Sequence, residues 1–200
     1  MPEPTVRPGR LEGLLHILPS PIVDPRGFFV RTLDAGTLSE SGLDPRRFVQ
    51  ENQSRSRKGT LRGIHFRRQL SEGKLVRCAR GSVVEVVVDL RPWSSTFLEQ
   101  ESMVLDDQRH EQVFVPAGCG HGFQVTSELA DICYKHDAVY EPALEAGIAW
   151  DDPELAIDWP LPDPILSDRD RIAPSLADVR PHLAEWFGER RPDESPPGER

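Results

Sequence analysis

The chain has 200 residues, 38% of them hydrophobic, which suits one domain with a core of its own. A formal net charge of −9 excludes a general nucleic-acid binder, a class that is usually basic. No apolar run approaches the ~20 residues that cross a bilayer, and the N-terminal MPEPTVRPGR has no apolar stretch of the signal-peptide kind, so a cytoplasmic protein without membrane or nucleic-acid partners is expected.

Residues 1–10 read as a disordered tail. Leu11 to Leu18 can form a first strand, and Pro19-Ser20-Pro21 breaks it. Asp24-Pro25-Arg26-Gly27 is a turn signal, with Phe28 to Thr32 as a strand behind it. Residues 35–44 are small and polar, a loop or short helix. Phe48 to Ser54 alternates weakly and would place Gln50 and Asn52 on one face of a strand. Buried amides need partners, so this pair either knits the core or meets a polar ligand.

The stretch 59–91 dominates the chain. Thr60 to Phe66 predicts a strand carrying Arg62 and His65. Lys74 to Leu90, ending in a run of valines around Glu85, predicts a second, the two forming a central hairpin. His65 reads either as a hydrogen-bonded core histidine or as a group held rigidly for chemistry. Lys74 reads either as a surface lysine or as a placed cation, and it stands out because the other lysines are Lys58 and Lys135 alone.

Phe97 to Leu105 and Gln112 to Val115 follow as strands. Pro116-Ala117-Gly118-Cys119-Gly120-His121 after a strand resembles the second signature of the cupin superfamily. Metal-binding cupins carry a His-x-His pair on an earlier strand, where this chain has His65-Phe66-Arg67, so no metal site is expected. Leu129 to Tyr140 predicts a strand holding both tyrosines, Tyr134 and Tyr140. Residues 175–187 predict a helix, with Leu176, Val179, Leu183 and Trp186-Phe187 at helical spacing. Residues 188–200 read as a charged, proline-rich tail, which leaves 11–187 as a single domain. Cys78, Cys119 and Cys133 lack CxxC spacing and read as reduced thiols.

The segments DPRGFFVRT, FVQENQSRS, KGTLRGIHF, GKLVRCARGSVVEVVVDLR, VFVPAGCGHGF, YKHDAVY, GIAWDDPELAIDWP and LSDRD, in this order, resemble the dTDP-4-dehydrorhamnose 3,5-epimerase family. The resemblance implies an all-β fold, a cupin-type double-stranded β-helix (jelly roll) barrel with short peripheral helices. It implies a homodimer acting on a nucleotide-linked 4-keto-6-deoxy sugar, with no cofactor. By residue it implies His65 as general base, Asp170 as its carboxylate, Tyr134 as proton donor on the other face of the sugar and Lys74 as the cation beside O4. It puts Arg26, Gln50, Asn52, Arg62, His121, Glu145 and Arg169 at substrate-contact positions, and Tyr140 where an aromatic ring stacks on the base. Three positions depart from the family pattern. Arg31 stands where glutamate is usual at a nucleotide contact, Gln53 replaces a frequent histidine, and Arg67 a frequent glutamine.

The implied chemistry is consistent with these side chains. A C4 ketone acidifies the hydrogens on C3 and C5, and removal of either gives an enolate. Reprotonation from the opposite face inverts the centre. This needs a base that titrates near neutrality, as imidazole does at about 6.5, an acid across the ring and a cation at the oxygen. An epimerase that inverts C3 alone would use the same groups. A non-catalytic cupin that binds a sugar nucleotide would not need all four of His65, Lys74, Tyr134 and Asp170.

Overall fold

The structure, a computed structural model, describes residues 3–189. The strands in chain order are β1 (Thr5–Pro8), β2 (Leu15–Leu18), β3 (Ile22–Asp24), β4 (Gly27–Phe29), β5 (Gln50–Arg57), β6 (Leu61–Arg67), β7 (Lys74–Arg80), β8 (Ser82–Asp89), β9 (Gln100–Asp106), β10 (Gln112–Val115), β11 (Cys119–Val125), β12 (Leu129–His136) and β13 (Glu145–Gly147). The helices α1 (Ala35–Glu40), α2 (Asp168–Arg171) and α3 (Leu176–Phe187) are short and peripheral. The strands form an antiparallel sheet of order β1-β2-β10-β7-β12-β5 and a facing one of order β13-β6-β11-β8-β9. Successive strands from β5 to β8 alternate between the two sheets, as in a cupin-type jelly roll.

That alternation corrects the expected central hairpin. β6 pairs with β11 and β13, whereas β7 pairs with β10 and β12 in the opposite sheet. The valine run starts after Gly81, whose φ of 79° turns the chain out of β7. Both faces of β8 are then covered. Val83 and Val87 enter the barrel core with Val76, Phe123 and Ile132. Val86 and Val88 pack outward on Ile148 and on Leu176, Val179, Leu183 and Phe187 of α3. A strand buried on both faces reads as continuous valine rather than as alternation. The α3 helix begins where its sequence says, with Ser175 and Asp178 forming a capping box.

The N-terminal tail expected over residues 1–10 is corrected. β1 pairs with β2, Val6 opposite Ile17, and Val6 packs on the cluster of Ile17, Leu38, Leu75 and Phe114. Pro8 lies on this edge strand, where a missing N–H costs no ladder bond. Of the expected C-terminal tail, residues 190–200 lie outside the described residues, and α3 ends before Gly188. The strand expected over Phe28 to Thr32 is instead a small hairpin, β3 with β4, standing apart from both sheets. No described helix is long and apolar enough to cross a membrane.

Candidate active site

Arg62 and His65 are three residues apart, so a regular strand would send them to opposite faces. The β6–β11 register shifts between its two neighbouring pairs. His65 lies opposite His121 and Arg62 opposite Phe123, three residues of β6 against two of β11. This bulge puts both side chains on the inner face. It needs glycine at 63, where φ is 136° and a Cβ would stand 2.5 Å from the Gly122 Cα.

A cavity of about 250 Å³ opens between the sheets at this level. One wall is Arg62, His65, His121, Phe123 and Glu145; the other is Asn52, Gln53, Ser54, Lys74, Tyr134 and His136. His65 Nε2 lies 2.5 Å from Asp170 Oδ1, while Asp170 Oδ2 accepts from the Ser167 hydroxyl at 2.8 Å. Burial raises the Asp170 pKa. Hydrogen bonding from His65, its charge and the Ser167 hydroxyl outweigh that, and the carboxyl titrates below its usual range. The acceptor on Nε2 leaves Nδ1 as the lone-pair nitrogen of a neutral His65.

Across the cavity, the Tyr134 hydroxyl lies 3.0 Å from Ser54 Oγ. Burial drives its pKa up, which keeps the phenol protonated. Lys74 is buried, its Nζ 3.2 Å from Glu72 Oε2, and the other Glu72 oxygen lies 3.0 Å from His136 Nδ1. Burial raises Glu72, but His136 and Lys74 together bring it below the usual carboxylate range. The site thus has a histidine–carboxylate pair on one side and a protonated phenol and a buried ammonium on the other. Such a set can take a proton from one face of a ring, return one to the other and stabilise oxyanion charge.

The structure therefore brings together His65, Asp170, Tyr134, Lys74, Asn52, Arg62, His121 and Glu145. Gln50 lies at the rim. Its amide donates to Asn52 at 3.4 Å, and its Oε1 accepts from the Tyr140 backbone at 3.0 Å. The Tyr140 ring is exposed. Arg169 stands 3.9 Å from Glu145, in a second cavity of about 360 Å³ on the far side of the His65–Asp170 pair. Two expected contacts are not brought in by this chain. Arg26 pairs with Asp24 at the tip of the exposed β3–β4 hairpin. Arg31 pairs with Asp34 and lines a separate cleft beside Ile17 and Gln112.

Sequence reasoning missed Ser54, Glu72, Glu85, His136 and Ser167. Glu85 carried a signal, being the single charge inside a valine run, and Glu72 another, two residues before the placed lysine. Arg67 anchors the rim, donating to the Val139 carbonyl and to Glu141, both at 3.0 Å. Among the described residues, no three His, Cys, Asp or Glu side chains converge to hold a metal ion.

The chain is 43% identical over 164 residues to a dTDP-4-dehydrorhamnose 3,5-epimerase of Methanothermobacter thermautotrophicus, covering 80% of this chain and 88% of that one. It is 43% identical over 176 residues to a dTDP-4-dehydrorhamnose 3-epimerase of Streptomyces niveus, covering 88% and 85%. Among solved structures, the dTDP-6-deoxy-D-glucose-3,5-epimerase of Legionella pneumophila in complex with dTDP-4-keto-L-rhamnose superposes with a TM-score of 0.85 at 39% identity, covering 90% of this chain and 97% of that one. The family model described as dTDP-4-dehydrorhamnose 3,5-epimerase matches residues 8–178, which include every group of the cavity, and the chain belongs to that family of isomerases.

Proposed function

We propose that the protein epimerises dTDP-4-dehydro-6-deoxy-D-glucose at C3 and C5 to dTDP-4-dehydro-L-rhamnose. The observation that carries this is the opposition of the His65–Asp170 pair to Tyr134 across one cavity that Lys74 also lines. His65 takes the proton alpha to the ketone, and Asp170 stabilises the imidazolium. Lys74 meets the charge on O4, and Tyr134 protonates the opposite face. The Legionella complex supports the choice of nucleotide sugar. Inversion at C3 alone is the second reading, favoured by the 3-epimerase of Streptomyces niveus, which is as similar as the 3,5-epimerase above.

We infer that residues 5–187, β1 included, act as one catalytic domain and that the protein is a homodimer. The β3–β4 hairpin exposes Ile22, Val23, Phe28 and Phe29 together, an apolar patch that a second copy would cover. Arg26 and Arg31, which lie outside their own chain's cavity, would then serve the partner's nucleotide site, with Tyr140 stacking on the base. A monomer by light scattering at micromolar concentration refutes this. The free, buried thiols suit a reducing compartment, and the cytoplasm is the proposed location.

The test is incubation with the 4-keto sugar in D₂O, with exchange and stereochemistry at C3 and C5 scored separately by NMR. His65→Ala should abolish both, since no proton leaves. Tyr134→Phe should exchange with retention while inversion falls ~10²-fold or more, the worth of one positioned acid. Inversion at C3 without C5 by the wild type selects the second reading. Wild-type inversion by Tyr134→Phe removes Tyr134 as the acid.

A further inference from the structure

The His121–Glu85 pair at the cavity is built unlike His65–Asp170. Glu85 lies on β8 between Val83 and Val87, on the face turned into the barrel, and none of its surface is exposed. Its Oε1 lies 2.7 Å from Nδ1 of His121, which is itself buried and lines the cavity. Its Oε2 is buried with no hydrogen-bond partner. A carboxylate at this place would have one neutral donor and one orphaned oxygen, a costly burial of charge. An imidazolium at 121 would be buried as well, among Lys74, His65 and His136.

We propose that Glu85 is held as the neutral acid and donates its proton to Nδ1 of His121, so that Nε2–H of His121 faces the cavity and joins Lys74 as a donor to the enolate oxygen. The inference rests on the epimerase reading above. With both groups neutral, the proton between them has two places. On Oε1 it leaves only a carbonyl oxygen, Oε2, unpaired. On Nδ1 it forces the acid's own O–H onto Oε2, a buried donor with no acceptor, and orphaned donors are the rarer defect. The two titrations agree with this state. Burial pushes Glu85 well above its ordinary value against the pull of Lys74, and burial then Lys74, His65 and His136 push His121 well below its own. A neutral imidazole N–H is an effective electrophile for polarising a carbonyl in isomerases, because it adds no charge that must be buried before the reaction. Glu85 touches no substrate atom in this scheme; it is a positioning residue that sets the tautomer of His121.

Long-range ¹H–¹⁵N correlation spectra of the histidine-labelled full chain read that tautomer directly. The expected result is an unprotonated Nδ1 and a protonated Nε2 on His121, holding through the pH range in which free histidine titrates. Kinetics on the 4-keto sugar supply the second arm. Glu85→Gln can still donate to Nδ1 and should keep the tautomer, with kcat reduced no more than about tenfold. Glu85→Met has no donor, should release the tautomer and should lose ~10²-fold in kcat, the worth of one oxyanion donor, with little change in dTDP binding. A proton on Nδ1 of His121 overturns the proposal, as does a Glu85→Gln loss as large as that of a folded Glu85→Met. If Glu85→Met does not fold, the wild-type spectrum and the Glu85→Gln rate still decide. A wild type that binds dTDP but turns over no sugar overturns the epimerase reading, and the enolate role with it. The spectrum then judges the Glu85–His121 couple alone.

Discussion

Replacing Asp170 with asparagine keeps the shape beside His65 and removes one charge. To act as the base His65 must be neutral before the step, so the carboxylate's field acts mainly on the imidazolium that forms as the proton leaves the sugar. The contact is 2.5 Å between heavy atoms, which puts the centres of the two delocalised charges about 4 Å apart. At an effective dielectric constant of about 20, that separation is worth ~4 kcal/mol. Asp170 is buried but the His65 side chain is 28% exposed, so water screens part of it. A loss of about 2–4 kcal/mol, or ~30- to 1,000-fold, is the expected range at ~1.4 kcal/mol per decade. Because the interaction strengthens only as charge develops, the loss should fall on kcat, with dTDP affinity unchanged. The assay is initial-rate kinetics on the 4-keto sugar beside calorimetric titration with dTDP, after circular dichroism shows the variant folded. A kcat within about threefold of wild type refutes the assignment of Asp170 as the stabiliser of the charged base.

Lys74→Met keeps length and removes the ammonium; kcat should drop ~10²–10³-fold with binding little altered, and a loss of only a few-fold makes Lys74 structural. Arg67→Gln cuts the two bonds that hold residues 139–141; with Glu141 exposed, about 1 kcal/mol is at stake, seen as a severalfold rise in KM at near-constant kcat. Equal losses in both parameters would show that Arg67 reaches the chemistry. The lowered Asp170 titration also predicts a pH signature in stability. A depressed carboxyl contributes stability that is complete above its unfolded pKa of about 3.9 and is lost as the pH falls through the folded value. The urea midpoint of wild type should therefore exceed that of Asp170→Asn above about pH 5, and the margin should begin to narrow as the pH falls below about 4. A margin that widens as the pH falls below about 4 contradicts the sign.

How much of this could be read in the chain depended on the range of the interaction. The strands around Gln112 to Val115, Leu129 to His136 and the helix at 176–187 are legible because local periodicity and caps set them. The motifs also named the four groups implied for chemistry, and they meet at one cavity. What sequence could not give was which sheet a strand joins. The segment 60–90 looks like a hairpin, and only the pairing of β6 with β11 and of β7 with β10 separates its halves. The bulge at Gly63 was hidden for the same reason, since it is defined by the partner strand and not by β6. Residues 1–10 read as a tail because TVRP carries no pattern of its own, yet one edge of β2 is free to receive Thr5 to Pro8. Arg26 and Arg31 failed differently. Arg26 fits the family's motif and Arg31 departs from it, but what completes such a site need not lie in the same chain.

Three histidine–carboxylate pairs meet this cavity, and two of them, His65–Asp170 and His121–Glu85, are set apart by their surroundings. Ser167 caps α2 by accepting from the Asp170 backbone N–H, and its hydroxyl donates to the Asp170 carboxylate, so two donors, Ser167 and His65, support a charge there. Glu85 has one contact and valine on either side. Identical pairs would compete for the same proton near neutral pH, and the cavity would change charge with every fluctuation. Pushing one carboxyl down and the other up fixes their states. The first leaves His65 a lone pair with an anion behind it, which suits removal of a proton. The second leaves His121 a proton with no charge behind it, which suits donation of a hydrogen bond. A valine strand that tolerates one glutamate at its centre has, on this argument, a reason to keep it that packing alone does not supply, because an apolar residue at 85 would fill the core better and leave His121 free to adopt the wrong tautomer.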